Sequence, residues 1–208
     1  MPRIVKKADD RKRDIIDAAR ELFRERGDDN LTMQELMDKL NIAKGTIYHH
    51  FSSKNDLLEA VVEDLIDEEL QKKKELLESS RFKNLSALEK MRLFVTQDTL
   101  AEDNQELLEN LHHSENAEMH AKQLGRYLLK LAPLFASIIE DGCAEGVFKT
   151  RYPLECAEFM LAGFQFLTDP GFYSWSEDEI SRRMNAFSFL IEDLLGAPEG
   201  SFDFLQNR

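Results

Sequence analysis

Residues Leu31 to Leu58 read LTMQELMDKLNIAKGTIYHHFSSKNDLL, and this stretch limits the possible folds more tightly than any other. Thr32 followed by Glu35 is a capping box, in which hydroxyl and carboxylate each satisfy an orphan backbone N–H at a helix start. Leu31 before the cap and Leu36 inside the helix supply the accompanying hydrophobic staple. Met33, Leu36, Met37 and Leu40 share one face of this helix, which stops at Asn41. Ile42 and Ala43 turn the chain. The segment Lys44 to Phe51 has room for two helical turns only, and Ser53 with Asp56 forms a second, weaker capping box that opens a long helix. Two short helices joined by a three- or four-residue turn predict a helix-turn-helix, whose second helix enters the major groove of DNA.

The segment before it supplies a helix to pack against. Ile15, Ala18, Ala19, Leu22 and Phe23 recur at helical spacing over Ala8 to Arg26, and Gly27 suits the left-handed residue that ends a helix. Phe23, Leu36, Leu40, Ile47 and Phe51 are the expected core of a small three-helix bundle. Lys44, Thr46, Tyr48, His49, His50 and Lys54 crowd polar groups around the short second helix. Gly45 fits a point of close backbone approach to DNA, because it carries no Cβ. Lys44, Lys54 and the hydroxyls suit phosphate contacts, which set register. Thr46, through its methyl group, and His49 suit base edges.

The ordered run of Thr32, Asn41-Ile42-Ala43, Lys44-Gly45-Thr46, Tyr48-His49-His50-Phe51 and Ser53-Lys54 resembles the TetR/AcrR family of transcriptional regulators. The resemblance spans roughly Arg11 to Val62; beyond it only the helical layout and length agree. It implies that Thr32, Lys44, Thr46, Tyr48, His49 and Lys54 touch phosphates or bases. It also implies that the helix from Lys54 links a DNA-binding head to a helical body, so that a tilt of this helix changes head spacing.

The net charge of −13 argues against nucleic acid only until its distribution is read. Residues 1–60 hold 12 Lys and Arg against 12 Asp and Glu, so the whole excess belongs to residues 61–208. Six bases against two acids within residues 1–13 make a basic arm suited to phosphate contact. Sparse glycine and proline, with Leu, Glu, Lys, Ala and Met in abundance, favour an all-helical chain. The two cysteines, Cys143 and Cys156, are expected as reduced thiols. No apolar run of about 18 residues and no signal-peptide core occurs, which points to a soluble, cytoplasmic protein that does not enter a membrane.

The remaining chain reads as a series of helices. The charge run from Asp67 to Lys74 is expected as a solvated face of the long helix. Ser86 with Glu89 caps a helix to about Ala101, a short helix is expected around Gln105–His112, and a longer one from Ala117 to Cys143 should kink or break at Pro133. Leu154 to Thr168 is apolar on nearly every side and must be buried on more than one. Ser176 with Glu179 caps a last helix carrying Ile180, Met184, Phe187, Ile191 and Leu194. Two such helices suit a four-helix interface between identical chains, an arrangement the resemblance also implies. Ala197 onward is expected as a loosely held tail. A ligand pocket between the body helices would draw on Phe94, Tyr127, Phe135, Phe159, Met160 and Phe164.

No glycine-rich phosphate loop, GxSxG elbow or HExxH motif occurs, so an enzyme is not expected, and no cofactor. His112, His113 and His120 with nearby glutamates suggest a metal-responsive variant, although Ser114–Asn116 should interrupt the helix that would align them. A helical adaptor that binds no DNA is the second alternative. The expected architecture is all-α: a helix-turn-helix DNA-binding domain over residues 1–53 and a helical effector-binding and dimerisation domain over 54–208. The expected function is a homodimeric repressor, released from a near-palindromic double-stranded operator by a small-molecule effector.

Overall fold

The computed structural model describes residues 8–26, 31–97 and 111–206, and every regular element among them is helical. The chain separates into two compact units: the described residues within 1–67 and 100–119 form one, and those within 68–99 and 120–208 the other. The first unit therefore takes in the start of the long helix, where the sequence set its domain limit at 53. The reason is local: Leu57, Leu58 and Val61 are fully buried, and Arg13 pairs with Asp64. The basic arm up to Lys7, Gly27 and most of the helix expected around Gln105–His112 lie outside the described residues.

In the first unit α1 (Ala8–Arg26), α2 (Met33–Leu40) and α3 (Lys44–His50) precede α4 (Lys54–Glu78). Ile15, Ala19, Phe23, Leu36 and Ile47 have no exposed surface, and Phe51 has almost none. These are the residues whose spacing predicted the core, except that Leu40 is only half-buried.

In the second unit the described elements are α5 (Ser80–Lys83), α6 (Ala87–Thr96), α7 (Ala117–Glu145) from His120 onward, α8 (Pro153–Thr168) and α9 (Glu177–Leu195), with a short 3-10 turn at Asp203–Leu205. Capping boxes start α6 at Ser86/Glu89 and α9 at Ser176/Glu179, as their spacing predicts. The Glu145 carboxylate accepts the Ala87 N–H at 3.0 Å and Lys90 Nζ reaches Asp141 at 2.6 Å, so α6 is fixed to the end of α7. After α7 the chain reverses tightly, and a side chain at Gly142 would collide with the Phe148 ring.

Three expectations are corrected here. Of the kink or break expected at Pro133, a break does not occur, since α7 is one helix from Ala117 to Glu145. Proline deprives the Leu129 carbonyl of its usual donor, but Pro133 and Leu129 both lie on the exposed side, where water can replace it. The charge run of α4 is not wholly solvated: the side chains of Glu69 and Lys73 are 2% and 5% exposed. They continue the buried face of Leu65, Ile66 and Leu70 by one helical turn. The tail after Ala197 is held rather than loose. Phe202 and Leu205 are buried, the Phe202 N–H donates to Glu192 Oε1 at 3.0 Å, and Gln206 Nε2 donates to Ser188 Oγ at 2.9 Å.

Candidate nucleic-acid interface and ligand cavity

The short helix α3 is positioned from both ends. Before it, Thr32 caps α2: its Oγ accepts the Glu35 N–H at 3.2 Å, and Glu35 Oε2 accepts the Thr32 N–H at 3.0 Å. The Thr32 hydroxyl proton is itself directed at Glu35 Oε2. Asn41 ends α2 with φ 49°, the one left-handed non-glycine residue among those described. The Asn41 N–H donates to the Asp38 carbonyl at 3.2 Å and the Ile42 N–H to Met37 at 3.0 Å. Such a cap satisfies the last carbonyls and turns the chain sharply. Beyond α3 the Phe51 N–H closes onto the Ile47 carbonyl at 2.9 Å. The Ser53 hydroxyl then accepts the Asp56 N–H at 3.0 Å, while the Asp56 carboxylate reaches back one residue further than a reciprocal box requires, to Ser52.

Ile47 is the single fully buried residue of α3 and anchors it to the core. The candidate contact groups lie on the other side. Lys44, Gly45, Tyr48 and His49 are exposed, as is Thr32, while Thr46 and Lys54 are half-buried. Lys44 Nζ lies 5.5 Å from the centre of the Tyr48 ring, which keeps the charge on the outer face. No acidic residue occurs within α3. A Cβ built on Gly45 would meet nothing within 4 Å, so packing inside this chain does not account for a glycine there. The described bases of the arm are more committed: Arg11 pairs with Asp14 at 3.5 Å, and Arg13 with Asp17 at 3.2 Å and with Asp64. Lys39 holds Glu21 at 2.8 Å, and that contact lowers the Glu21 carboxyl below its ordinary range.

The second unit contains a partly open cavity of about 120 Å³. Phe94, Tyr127, Phe135, Met160 and Phe164 line it, five of the six residues named from sequence. Phe159 does not. It is 73% exposed on the outer side of α8, one residue and about 100° of helical rotation from Met160. Sequence reasoning missed three wall residues of consequence: Lys73, Phe202 and Leu205. The signal for Lys73 was its i,i+4 spacing from Glu69, and for the other two the apolar pair after a Pro-Glu-Gly-Ser turn.

Outside the cavity, α8 and α9 expose Phe159, Phe166, Leu167, Phe189 and Leu190, an unusual load of large apolar groups for two neighbouring helices. His120 is buried, with Nε2 3.0 Å from Asp169 Oδ2 and its ring stacked on Phe172. His113 is exposed and precedes the 3-10 turn Ser114–Asn116, so it shares no helical face with His120. No helix among the described residues is long and apolar enough to cross a membrane.

Comparison with known proteins bears on both halves. The family profile described as "Bacterial regulatory proteins, tetR family" matches residues 15–61, and "Tetracyclin repressor-like, C-terminal domain" matches residues 99–190. The chain is 26% identical over 163 residues to the HTH-type transcriptional repressor KstR2 of Rhodococcus jostii, covering 76% of this chain and 75% of that protein. It is 42% identical over 48 residues to the HTH-type transcriptional regulator UidR of Escherichia coli, 23% of this chain and 24% of that one. A crystal structure of a TetR-family regulator from Pectobacterium atrosepticum superposes with a TM-score of 0.64 at 20% identity, covering 92% of this chain and 97% of that one. Reduced E. coli NemR superposes with 0.56 at 19% identity, covering 90% and 96%. These two likenesses establish a shared fold.

Proposed function

The chain belongs to the TetR family of transcriptional regulators, and from that premise we propose that it is a homodimeric repressor released from its operator by a small molecule bound in the body. Family membership makes it a DNA-binding regulator rather than an enzyme, and sets aside the adaptor alternative. The observation that carries the reading of the head is the division of α3: Ile47 inward, Lys44, Tyr48 and His49 outward. Lys44 and Lys54 contact phosphates, Thr46 and His49 meet base edges, and Gly45 lets the backbone come close. Thr32, whose hydroxyl proton is occupied by Glu35, acts at the start of α2 through the cap that sets the angle of approach.

The exposed apolar residues of α8 and α9 support dimerisation through these two helices. A two-fold dimer places its heads in successive major grooves about 34–36 Å apart and calls for a near-palindromic operator. An effector acts by favouring a body state in which the heads are wrongly spaced, and its effect cannot exceed its differential affinity for the two states. The test is electrophoretic shift with DNA flanking the protein's own gene, over a range of salt. Binding should weaken steeply with salt, and Lys44→Ala should reduce the slope by about one counterion. Tyr48→Ala should abolish the shift without altering the fold. An affinity indifferent to salt, or to both substitutions, would remove α3 from the interface.

A further inference from the structure

We infer that the body cavity selects a neutral, largely apolar molecule carrying one oxygen that accepts a hydrogen bond from Lys73. The inference rests on the effector reading above and adds the chemistry of the effector. Apolar side chains make most of the wall, Met91, Phe94, Leu131 and Phe135 among them, so the body of the ligand must be hydrophobic. Tyr127 and Gln165 add polar groups, and Lys73 is the one charged residue among those described in the wall. Its side chain is 5% exposed, and its Nζ donates to the Phe94 carbonyl at 3.2 Å and lies 3.4 Å from Glu69 Oε1. The same nitrogen stands 4.9 Å from the centre of the Phe94 ring. An ammonium group has three protons. One is donated to the Phe94 carbonyl and a second faces the paired Glu69 carboxylate, so the third is the one that a molecule in the cavity lined by Lys73 can use.

Charge then sorts the candidates. Glu69, 2% exposed, already answers the Lys73 charge. A carboxylate ligand would set a second anion beside one ammonium in an apolar enclosure, and an amine would set a second cation there; each carries the desolvation cost of an uncompensated ion. A ketone, ester or hydroxyl oxygen gains a charge-assisted hydrogen bond and adds no charge. A cavity of about 120 Å³ is comparable to the engineered one of roughly 150 Å³ that holds benzene, so the part of the ligand held inside it is a single ring or its equivalent.

The test uses four probes that share a ring and differ in head group: acetophenone, benzoate, benzylamine and ethylbenzene, titrated calorimetrically into the full chain. Acetophenone should bind about tenfold or more tightly than each of the others. Glu69→Gln should reverse the order in favour of benzoate, because Lys73 then lacks its counter-charge. The joint variant Glu69→Gln/Lys73→Met, which removes both charges of the pair, should reduce acetophenone to the level of ethylbenzene. Benzoate preferred by the native chain, or an order unmoved by Glu69→Gln, overturns the inference while leaving an effector site intact. No binding by any probe overturns the inference and the cavity together. Acetophenone bound as expected but without effect on operator affinity supports the inference and removes the regulatory reading of the site.

Discussion

Phe159→Ala is the most direct test of the dimer, because the residue contributes little to its own monomer. Phe159 is 73% exposed, and truncation of a residue so placed should change monomer stability by less than about 0.5 kcal/mol. Full burial of a phenylalanine is worth up to about 3 kcal/mol, so covering the exposed three-quarters yields about 2 kcal/mol. A two-fold interface contains the residue twice, which raises the loss to about 4 kcal/mol, or roughly three decades in dissociation constant. Sedimentation equilibrium from nanomolar to micromolar protein would read this shift. Met160→Ala is the matched control: Met160 is 7% exposed and lines the cavity, so its truncation should cost about 2–5 kcal/mol of stability and leave the dimer constant nearly unchanged. Should Phe159→Ala leave association untouched, the outer side of α8 is not the dimer face and the argument from exposed apolar groups fails.

Gly45→Ala should stabilise the isolated protein by up to about 1 kcal/mol, since alanine favours helix and meets nothing in the chain, yet weaken operator binding; melting and shift assays on one sample would separate the two. Ile47→Ala should cost about 2–4 kcal/mol in chemical denaturation and abolish operator binding, although its side chain touches no DNA. The carboxyls of Glu89 and Glu179 sit below their ordinary value of 4.5, Glu89 chiefly through the Ser86 hydroxyl and Glu179 chiefly through the Ser176 backbone N–H. A depressed carboxyl contributes stability that is present above its unfolded value and lost as pH falls through the folded one. Acid titration should therefore show that contribution fading from about pH 4.5 downward, and carbon NMR should find the Glu89 carboxyl closer to its ordinary value in Ser86→Ala, which removes the hydroxyl that lowers it most.

The parts of this protein governed by neighbours in sequence were legible, and the parts governed by distant contacts were not. The head follows from the Thr32/Glu35 box, the left-handed Asn41 and the period of Phe23, Leu36 and Ile47, all local signals. On α7 the two residues named, Tyr127 and Phe135, lie eight positions apart and so share a face, with Leu131 between them. On α8 no polar face fixes the rotational phase, so Phe159 could not be told from Met160. Lys73 was hidden in a run of charges that resembles any solvated helix, and only the elements packed over it bury its ammonium. Phe202 and Leu205 follow a turn rich in loop-forming residues, whose composition outweighed the two apolar side chains beyond it.

The brevity of α3 limits how much text the protein can spell out by touch. Seven residues span about 10 Å, alongside which about three base-pair steps of roughly 3.4 Å fit. Two such helices cover some six pairs, a word that recurs by chance about once in 4,000, whereas a genome offers about a million or more competing addresses. Most of the discrimination must then come from how readily the spacer between half-sites adopts the required groove width and twist. Operator variants altered only in that uncontacted spacer should thus differ in occupancy as much as variants altered under the helix itself.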